Sequence, residues 1–500
     1  MQEPDGIRQA SGIVILGNLG VKSVSGRNAC KLALALIALT AGGCAQPQLA
    51  APQTALPVPA DWAESEPAPI SVDIAEYWRL LNDPLLTELV ERSIAENRNL
   101  AQGAARLDQA RSQLRQARAG YLPSVSASAG SGRDLGSNNP GQNTFSLGAD
   151  AQWEADLFGR VSNNVAASTA DLVAAGYSLA DLQRAIVGQV AISTVQARAI
   201  ALQLQIARST LAYQEDNLQI ARWRNQAGLV DSLDVEQART QRAQTAATIP
   251  QLESSLAATA NALSTLAGET PGRVLAALQD DAAAKVPAPA QLAGWEAPAE
   301  VLRRRPDVRG AEASLVGAAA RVGVARAQLL PALRLTGSVG SSSLGIGNLF
   351  DIITANVFAN VSQLLFDGGR TRAQIEGAEA SARGAQAAWE QAILSALEEV
   401  ESAAVDQRTS AAQVDLSAEA VDAASNSVLL ARSQYQAGLI DFRTLLSAEN
   451  QLLSARNQQV SAQADRAIAF VRLTQALGGG WTVADYAADL SSLPAQDESE

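Results

Sequence analysis

An internal duplication constrains this chain more than any other feature, because nearly the same six residues occur twice, far apart. The segment QAGLVD occupies 226–231 and QAGLID occupies 436–441, with a single valine-to-isoleucine exchange. Two longer pairs of segments keep almost the same offset, which chance matches would not do. These pairs are ARAGYLPSVSASAG at 117–130 with ARAQLLPALRLTGS at 325–338, and DLFGR at 156–160 with LLFDGGR at 364–370. The sequence therefore predicts two copies of one structural unit.

Each copy has the same predicted order of elements: a helix, a pair of strands, a long helix and a further helix. Apolar residues alternate with polar ones in FSLGADAQWEADL at 145–157, which predicts a strand. Val161 to Gln226 and Thr371 to Gln436 contain no proline, which predicts two helices of about 100 Å at 1.5 Å per residue. The other predicted elements are helices at 86–119, 306–328, 232–266 and 442–477, and strands at 122–133, 331–342 and 353–366.

The repeated hexapeptide follows each long helix directly. Gly228 and Gly438 suit the left-handed residue that ends many helices, and Asp231 and Asp441 can cap the free N–H groups of the next helix. We therefore interpret the hexapeptide as the hairpin turn at the tip of each pair of helices.

The last predicted helix, 442–477, carries two apolar stripes with a seven-residue repeat. The stripes lie two residues apart, about 200° around a helix, so this helix should have a neighbour on each of two faces, as in the wall of a barrel. The alternative is a two-stranded coiled coil, which needs one stripe only. The stripes are Leu446, Leu453, Val460 and Ala467, and Ala448, Ala455, Ala462, Ala469 and Ala476.

The four predicted strands are long enough to cross an outer membrane when tilted, which takes roughly 9–11 residues. They cannot close a barrel alone, because the smallest membrane barrels have about eight strands. Open sheet edges are not tolerated in lipid. At least two chains must therefore share one barrel.

Composition excludes several classes of function. The chain has no histidine, which removes the commonest general base and metal ligand. Its two cysteines, Cys30 and Cys44, both lie near the N-terminus and allow neither a CxxC metal site nor a disulfide framework. The net charge of −13 argues against a nucleic-acid partner. We expect no enzyme, no cofactor and no bound metal.

The N-terminus has the pattern of a secretory signal. Basic residues precede the short apolar run LALALIAL at 32–39, and small residues then lead to Cys44. This ending resembles a bacterial lipobox, in which the cysteine is acylated and becomes the first residue of the mature protein. We predict a signal region at 1–43, with 1–20 as an upstream extension, and a lipidated, proline-rich tether at 44–70.

Four segments together resemble the outer-membrane efflux protein family, which is related to TolC, in its lipoprotein NodT-like or OprM-like branch. The resemblance covers about 70–480. The segments are YWRLLNDPLLTELVERSIAENRNLAQGAARLDQAR at 77–111, LRRRPDVRGAEASLVGAAARVGVARAQLLPALRLTGSVG at 302–340, LLFDGGRTRAQ at 364–374 and ALGGGW at 476–481.

The resemblance implies a mixed α and β membrane protein: a homotrimer whose 12-stranded outer-membrane β-barrel continues into a 12-helix periplasmic α-barrel. It implies a lipid-anchored outer-membrane duct of a tripartite pump of the resistance–nodulation–division (RND) type, exporting small molecules such as drugs or metal ions. The implied partners are outer-membrane lipid, a periplasmic adaptor (membrane fusion) protein and an inner-membrane RND transporter. The predicted parts are a first repeat at 71–267 (β-hairpin 122–157, tip near 226–232), an equatorial linker at 268–300, a second repeat at 301–480 (β-hairpin 331–366, tip near 436–442) and a tail at 481–500.

The resemblance also implies a gate at the helical tips. Asp234 and Tyr435 fall where relatives link neighbouring helices, and Arg443 and Ser447 fall at the inner constriction. The OprM-like pattern has an apolar residue at 443 and an aspartate at 447, so this chain cannot use a ring of carboxylates there. We hypothesise that Arg443 crowds the entrance, with Asp234 or Asp441 as counter-charge; the alternative is that Arg443 simply points to solvent.

The tips are also the candidate contact for the adaptor, although the glycines could serve the turn alone. These candidates are Gly228, Leu229, Val230, Asp231, Gly438, Leu439, Ile440 and Asp441.

Three alternatives remain open: the outer-membrane duct of a type I protein-secretion system, a periplasmic adaptor, and a coiled-coil lipoprotein. The last two would lack the duplicated strand pairs. FDGGR at 366–370 lacks the ending of a phosphate loop, and we predict a strand-to-helix turn there. Arg303, Arg304 and Arg305 are predicted to form a solvated face.

Overall fold

The computed structural model describes residues 56–63, 74–133, 141–279, 285–290 and 296–482. The predicted signal region, the lipidation site at Cys44 and residues 483–500 of the predicted tail lie outside the described residues.

The first copy contains four helices and two strands, preceded by a short 3₁₀ helix at Tyr77–Leu81. They are α1 Pro84–Glu96, α2 Arg98–Ala119, β1 Ser124–Arg133, β2 Asn143–Ala155, α3 Arg160–Gln226 and α4 Ser232–Leu266. The second copy follows the short helices α5 Arg273–Leu278 and α6 Pro298–Arg304. It contains α7 Pro306–Ala327, β3 Ala332–Ser343, β4 Thr354–Ser362, α8 Arg370–Gln436 and α9 Phe442–Ala476. Both long helices, α3 and α8, have 67 residues, as their proline-free stretches predicted.

Two predicted elements differ from the structure. The predicted helix 86–119 is divided at Asn97, whose side chain accepts hydrogen bonds from the N–H groups of Asn99 and Leu100 and so starts α2. The predicted strand 353–366 ends at Ser362. Ser362 pairs with Ala332, which is the first residue of β3, so the ladder between β3 and β4 stops there.

Each strand-to-helix turn is built by an aspartate and a glycine. The Asp367 carboxylate accepts hydrogen bonds from the backbone N–H and the hydroxyl of Thr371, and Gly369 has φ of 90°. In the first copy, Asp156 accepts from the N–H of Val161 at 2.9 Å. The prediction that FDGGR turns a strand into a helix is confirmed.

The helices pack in the same order as the strands. The four strands form one antiparallel sheet in the order β1-β2-β3-β4. Near the sheet, α3 packs against α2 and α7, and α7 also packs against α8. Near the tips, α4 and α9 take the places of α2 and α7, so that α3 lies between α4 and α9, and α9 packs against α8. The two contacts of α9 agree with its two predicted stripes, which are buried or half-buried throughout.

The main core lies where α1, α3, α4, α5 and α9 meet. Fully buried side chains there include Leu86, Leu89, Val190, Leu263 and Phe470. A buried ion pair crosses this region, because the Arg198 guanidinium on α3 donates to the carboxylate of Asp83, which also caps α1.

The prediction that Arg303, Arg304 and Arg305 form a solvated face is wrong for Arg305. The Arg305 side chain is 0% exposed, whereas that of Arg303 is 73% exposed. The Arg305 guanidinium donates to Asp307 at 3.0 and 2.6 Å, to Glu399 at 2.6 Å and to the carbonyl oxygen of Ala476 at 3.0 Å. These bonds tie the start of α7 to both α8 and the end of α9.

Candidate functional site

Both long helices end in the same turn, at the residues of the repeated hexapeptide. Gly438 has φ of 73°, its N–H donates to the carbonyl of Tyr435 at 3.0 Å, and the N–H of Leu439 donates to the carbonyl of Gln434 at 2.9 Å. Gly228 has φ of 72° and heads the equivalent pair of bonds. This pair of bonds defines the Schellman motif, in which glycine takes the left-handed conformation at low cost. The predicted hairpin turns are confirmed.

The predicted helix caps are present as well. The Asp231 carboxylate accepts from the N–H of Ser232 at 2.6 Å, and the Asp441 carboxylate accepts from the N–H of Thr444 at 2.9 Å. The hydroxyl and N–H of Thr444 hold the pKa of Asp441 below its usual range. Asp441 therefore carries its negative charge at neutral pH.

A cation–π contact onto a buried aromatic pair joins the two tips. The ring of Tyr435 on α8 lies 5.5 Å from that of Phe442 on α9, and the guanidinium carbon of Arg224 on α3 lies 4.6 Å from the centre of the Tyr435 ring. Tyr435 is only 7% exposed. Because Arg224 and Tyr435 belong to different hairpins, this cation–π contact links the first copy to the second. Apolar side chains surround the pair: Leu218, Ala221, Ala238, Ala431 and Leu445.

Negative charges accumulate beside this contact. Asp234, in the first turn of α4, is half-buried. Burial, and then the charges of Asp231 and Asp441, raise the pKa of the Asp234 carboxyl, and Arg224 offsets part of the effect. Burial also raises the pKa of Tyr435. The three carboxylates at the tip, those of Asp231, Asp234 and Asp441, therefore repel each other, and Arg224 and Arg443 offset part of this repulsion.

Arg443 and Ser447 lie on an exposed face of α9. They line a groove of about 540 Å³ with Leu446, Asn450, Gln451, Ser454, Ala455 and Gln458. In the described part of the chain, no carboxylate forms an ion pair with Arg443, although its charge contributes to the lowered pKa of Asp441. The cation near Asp234 is Arg224, a residue that the sequence did not single out.

The candidate adaptor residues fall into two groups. Leu229 and Leu439 are 68% and 75% exposed, whereas Val230 is half-buried and Ile440 packs against the buried tip residues. The two leucines are therefore the tip residues that present apolar surface.

Sequence reasoning also missed the residues that form polar links between the helices near the tips. The amides of Gln241 on α4 and Asn450 on α9 exchange two hydrogen bonds of 2.7 and 3.1 Å. The Glu449 carboxylate accepts from Asn217 at 2.9 and 3.0 Å and from Arg432 at 3.3 Å. The duplication gave no signal for the first link, since the offset of 210 between the two hexapeptides makes Gln241 equivalent to Gln451 and not to Asn450.

The sheet has one apolar and one polar face. Cross-strand neighbours lie on the same face and successive residues alternate, so the register assigns each side chain. One row of the apolar face is Val125, Ala151, Gly337 and Val357; the adjacent row, on the polar face, is Ser126, Asp150, Ser338 and Asn356. Val125 and Val357 are 73% and 84% exposed, so the two outer strands present uncovered apolar side chains on this face. Asn356 and Asn360 lie on the face opposite Val357 and Val361.

Comparison with known proteins gives a consistent result. Residues 89–269 and 297–479 match the sequence model of the family described as outer membrane efflux protein. The antibiotic efflux pump outer membrane protein ArpC of Pseudomonas putida is 32% identical over 336 residues, which are 64% of this chain and 68% of ArpC. Nodulation protein T of Rhizobium leguminosarum bv. trifolii is 28% identical over 367 residues, 72% of this chain and 78% of that protein. The solved structure of the outer-membrane channel OprN matches 87% of this chain and 99% of its own with a TM-score of 0.79, at 32% identity.

Proposed function

Because this chain belongs to the outer membrane efflux protein family, a family of transport channels, we propose that it is the outer-membrane duct of a tripartite efflux pump. Small molecules pass through it from the periplasm or inner membrane to the exterior. The observation that carries this proposal is the sheet with an apolar and a polar face, whose strand order continues into the helices. A polar inner wall and an apolar outer wall suit a water-filled pore in lipid.

The proposal requires that several chains share one wall. β1 and β4 each have one edge without a partner strand among the described residues, and such edges are not tolerated in lipid. At the same side as β4, helix α8 exposes large apolar side chains: Leu394, Leu416, Leu429 and Leu430. An interface that joins β4 and α8 of one chain to β1, α2 and α4 of the next is head-to-tail and closes as a ring.

We propose a trimer, as the family resemblance implies. Four strands from each of three chains then form a 12-stranded barrel, and α2, α3, α7 and α8 supply a 12-helix wall beneath it. Neither the barrel nor the wall is complete in one chain.

The tips are the proposed gate and the proposed contact for partners. Arg224 on the first hairpin and Tyr435 on the second hold the two hairpins together, with Asp234 beside them, and Arg443 with Ser447 lines the groove on α9. A cation–π contact with a buried ring contributes only about 2 kcal/mol, so a partner can open it. Leu229 and Leu439 are the proposed contacts for a periplasmic adaptor, which would connect the duct to an inner-membrane RND transporter.

The lipid anchor is a separate proposal. Acylation of Cys44 would place the tether at the membrane in which the barrel lies. Mass spectrometry of the mature N-terminal peptide should find an acylated Cys44, and a Cys44→Ala variant should lack the added mass. An unmodified peptide that begins upstream of Cys44 would contradict this proposal.

The experiment that tests the duct is reconstitution. The chain purified in detergent should have the mass of a trimer and form pores in planar lipid bilayers. A stable single-chain species without pore activity would refute the proposal.

The gate is tested in the same bilayers. Arg443→Ala should raise the leak conductance, because a positive side chain no longer crowds the entrance. Arg303→Ala, which removes an exposed arginine far along the chain from the tips, is the matched control and should leave conductance unchanged. Equal conductance of Arg443→Ala and the control would remove Arg443 from the gate.

A type I secretion duct is the alternative function. The relatives named as efflux-pump proteins favour small-molecule export. Deletion of the gene should increase sensitivity to drugs or metal ions; loss of a secreted protein without such sensitivity would favour the alternative.

A further inference from the structure

The polar face of the sheet contains two side chains that its general composition does not explain. This face is made mostly of serine, threonine, asparagine and glycine. Phe358 is a large apolar residue on it and is 58% exposed. Asp150 is an exposed carboxylate on the same face, and among the described residues no arginine or lysine forms an ion pair with it.

Both residues line one cavity of about 340 Å³. Its wall also includes the side chains of Ser124, Ser126, Gln152, Thr336 and Ser338. The register explains the grouping. Phe358 shares a row with Thr336 and Gln152, and Asp150 shares the next row of this face with Ser338.

The nearest cluster of charges on this face is already paired. Glu154 accepts from Arg160 at 2.6 Å and from Arg334 at 3.3 Å. Glu154 lies four residues from Asp150 along β2, roughly 14 Å at the rise of an antiparallel strand. Asp150 is therefore separate from these arginines and presents an uncompensated negative charge to the cavity.

A carboxylate, an aromatic face and several hydroxyl groups have complementary interactions with one chemical class. The carboxylate attracts a positive charge, and the negative face of an aromatic ring attracts cations, particularly weakly hydrated quaternary ammonium groups. The hydroxyls and the Gln152 amide can accept hydrogen bonds from an ammonium N–H. Asp150 would repel an anion, and a neutral apolar molecule would interact favourably only with the ring of Phe358.

We propose that the cavity around Asp150 and Phe358 is a low-affinity binding site for organic ammonium cations inside the barrel. The site rests on the proposed function, because only in a closed barrel does the polar face line the path of a transported molecule. With three chains the site occurs three times around the path. It makes cationic organic compounds a preferred substrate class at this level of the duct.

Block of single-channel current in planar bilayers tests the site, with benzyltriethylammonium as the probe. Wild-type pores should be blocked, and Asp150→Asn should weaken the block about fivefold, the size expected from one exposed charge pair. Phe358→Leu keeps an apolar side chain without a π face, and should weaken the block about two- to fivefold. Asp150→Glu keeps the charge and should retain most of the block.

Asp351→Asn is the matched control. It removes the same charge from the loop after β3, outside the cavity, and should leave the block unchanged. If wild-type pores conduct and Asp150→Asn is blocked as strongly as wild type, the binding site is refuted and the duct stands. If the wild-type chain forms no pores, the duct itself is refuted.

Discussion

Replacing Arg305 by methionine should destabilise the folded chain by about 3 kcal/mol, far more than the same replacement of the exposed Arg303. Methionine fills a similar volume, but it leaves the carboxylates of Asp307 and Glu399 and the carbonyl of Ala476 without their donor. Removing one partner of a buried ion pair costs roughly 3–5 kcal/mol. The lower end applies here, because the Asp307 and Glu399 side chains are 27% and 52% exposed and water can reach them.

The pH dependence of this loss follows from Asp307. Burial opposes its ionisation, but the hydrogen bonds and charge of Arg305 outweigh burial and hold its pKa below the usual 3.8. A carboxyl with a depressed pKa stabilises the fold above its usual pKa, and this stability is lost as the pH falls through the depressed value. The stabilisation that Asp307 gives wild type should therefore be full at neutral pH and decline only as the pH falls below 3.8.

The assay is the unfolding rate in urea at fixed protein and detergent concentration, because large membrane assemblies often unfold irreversibly. A loss of about 3 kcal/mol corresponds to unfolding that is up to about 150-fold faster. Arg303→Met is the control from the same triplet; its side chain is 73% exposed, so the rate should change less than about twofold. Glu399→Gln should lie close to this control. Equal unfolding rates of Arg305→Met and Arg303→Met would refute the reasoning.

Three further predictions concern the tips and the sheet. Gly438→Ala forces alanine to φ of 73°, which costs about 1–2 kcal/mol and should speed amide exchange at the ends of α8 and α9; Gly345→Ala, at φ of −140° with equally open space, should not. Asp234 has a raised pKa in the closed tip. As the pH falls toward 3.8, the closed tip therefore takes up a proton before an open one, and leak conductance should fall. Asp234→Asn should abolish this pH dependence. Val357→Arg puts a charge on the apolar face, costs about 2–4 kcal/mol in lipid and should prevent membrane insertion, whereas Asn356→Arg on the polar face should insert normally.

Long-period features of the sequence predicted most of the fold. The long helices begin at Arg160 and Arg370, within one residue of their predicted starts. These starts were predictable because an aspartate and a glycine precede each helix. Because the chain is duplicated, each of these signals occurs in both copies, which supported the prediction. Alternation along β2 assigned its faces, since the side-chain period of a strand is fixed by its geometry.

Contacts between distant residues were not predictable in the same way. Asn97 divides one predicted helix, and its side-chain amide is held by the carbonyl of Leu266, 169 positions later. Arg305 looks like Arg303 in the sequence, yet its partner Glu399 lies 94 positions away. Local patterns indicate how a segment folds, but they do not indicate which polar side chains another segment will cover.

The proposed gate depends on residues that differ between the two copies. Positions equivalent to Tyr435 and Phe442 hold Asn225 and Ser232 in the first copy, and a glutamine replaces Arg224 in the second. Arg224 and Tyr435 are therefore not equivalent positions, and each lacks a counterpart of its own kind in the other copy. Because the first copy carries the arginine and the second carries the aromatic pair, their tips attract each other within one chain. The turns themselves are nearly identical, because both must end a helix with a left-handed glycine. The hexapeptide that reveals the duplication is therefore the part of the tip that differs least between the copies.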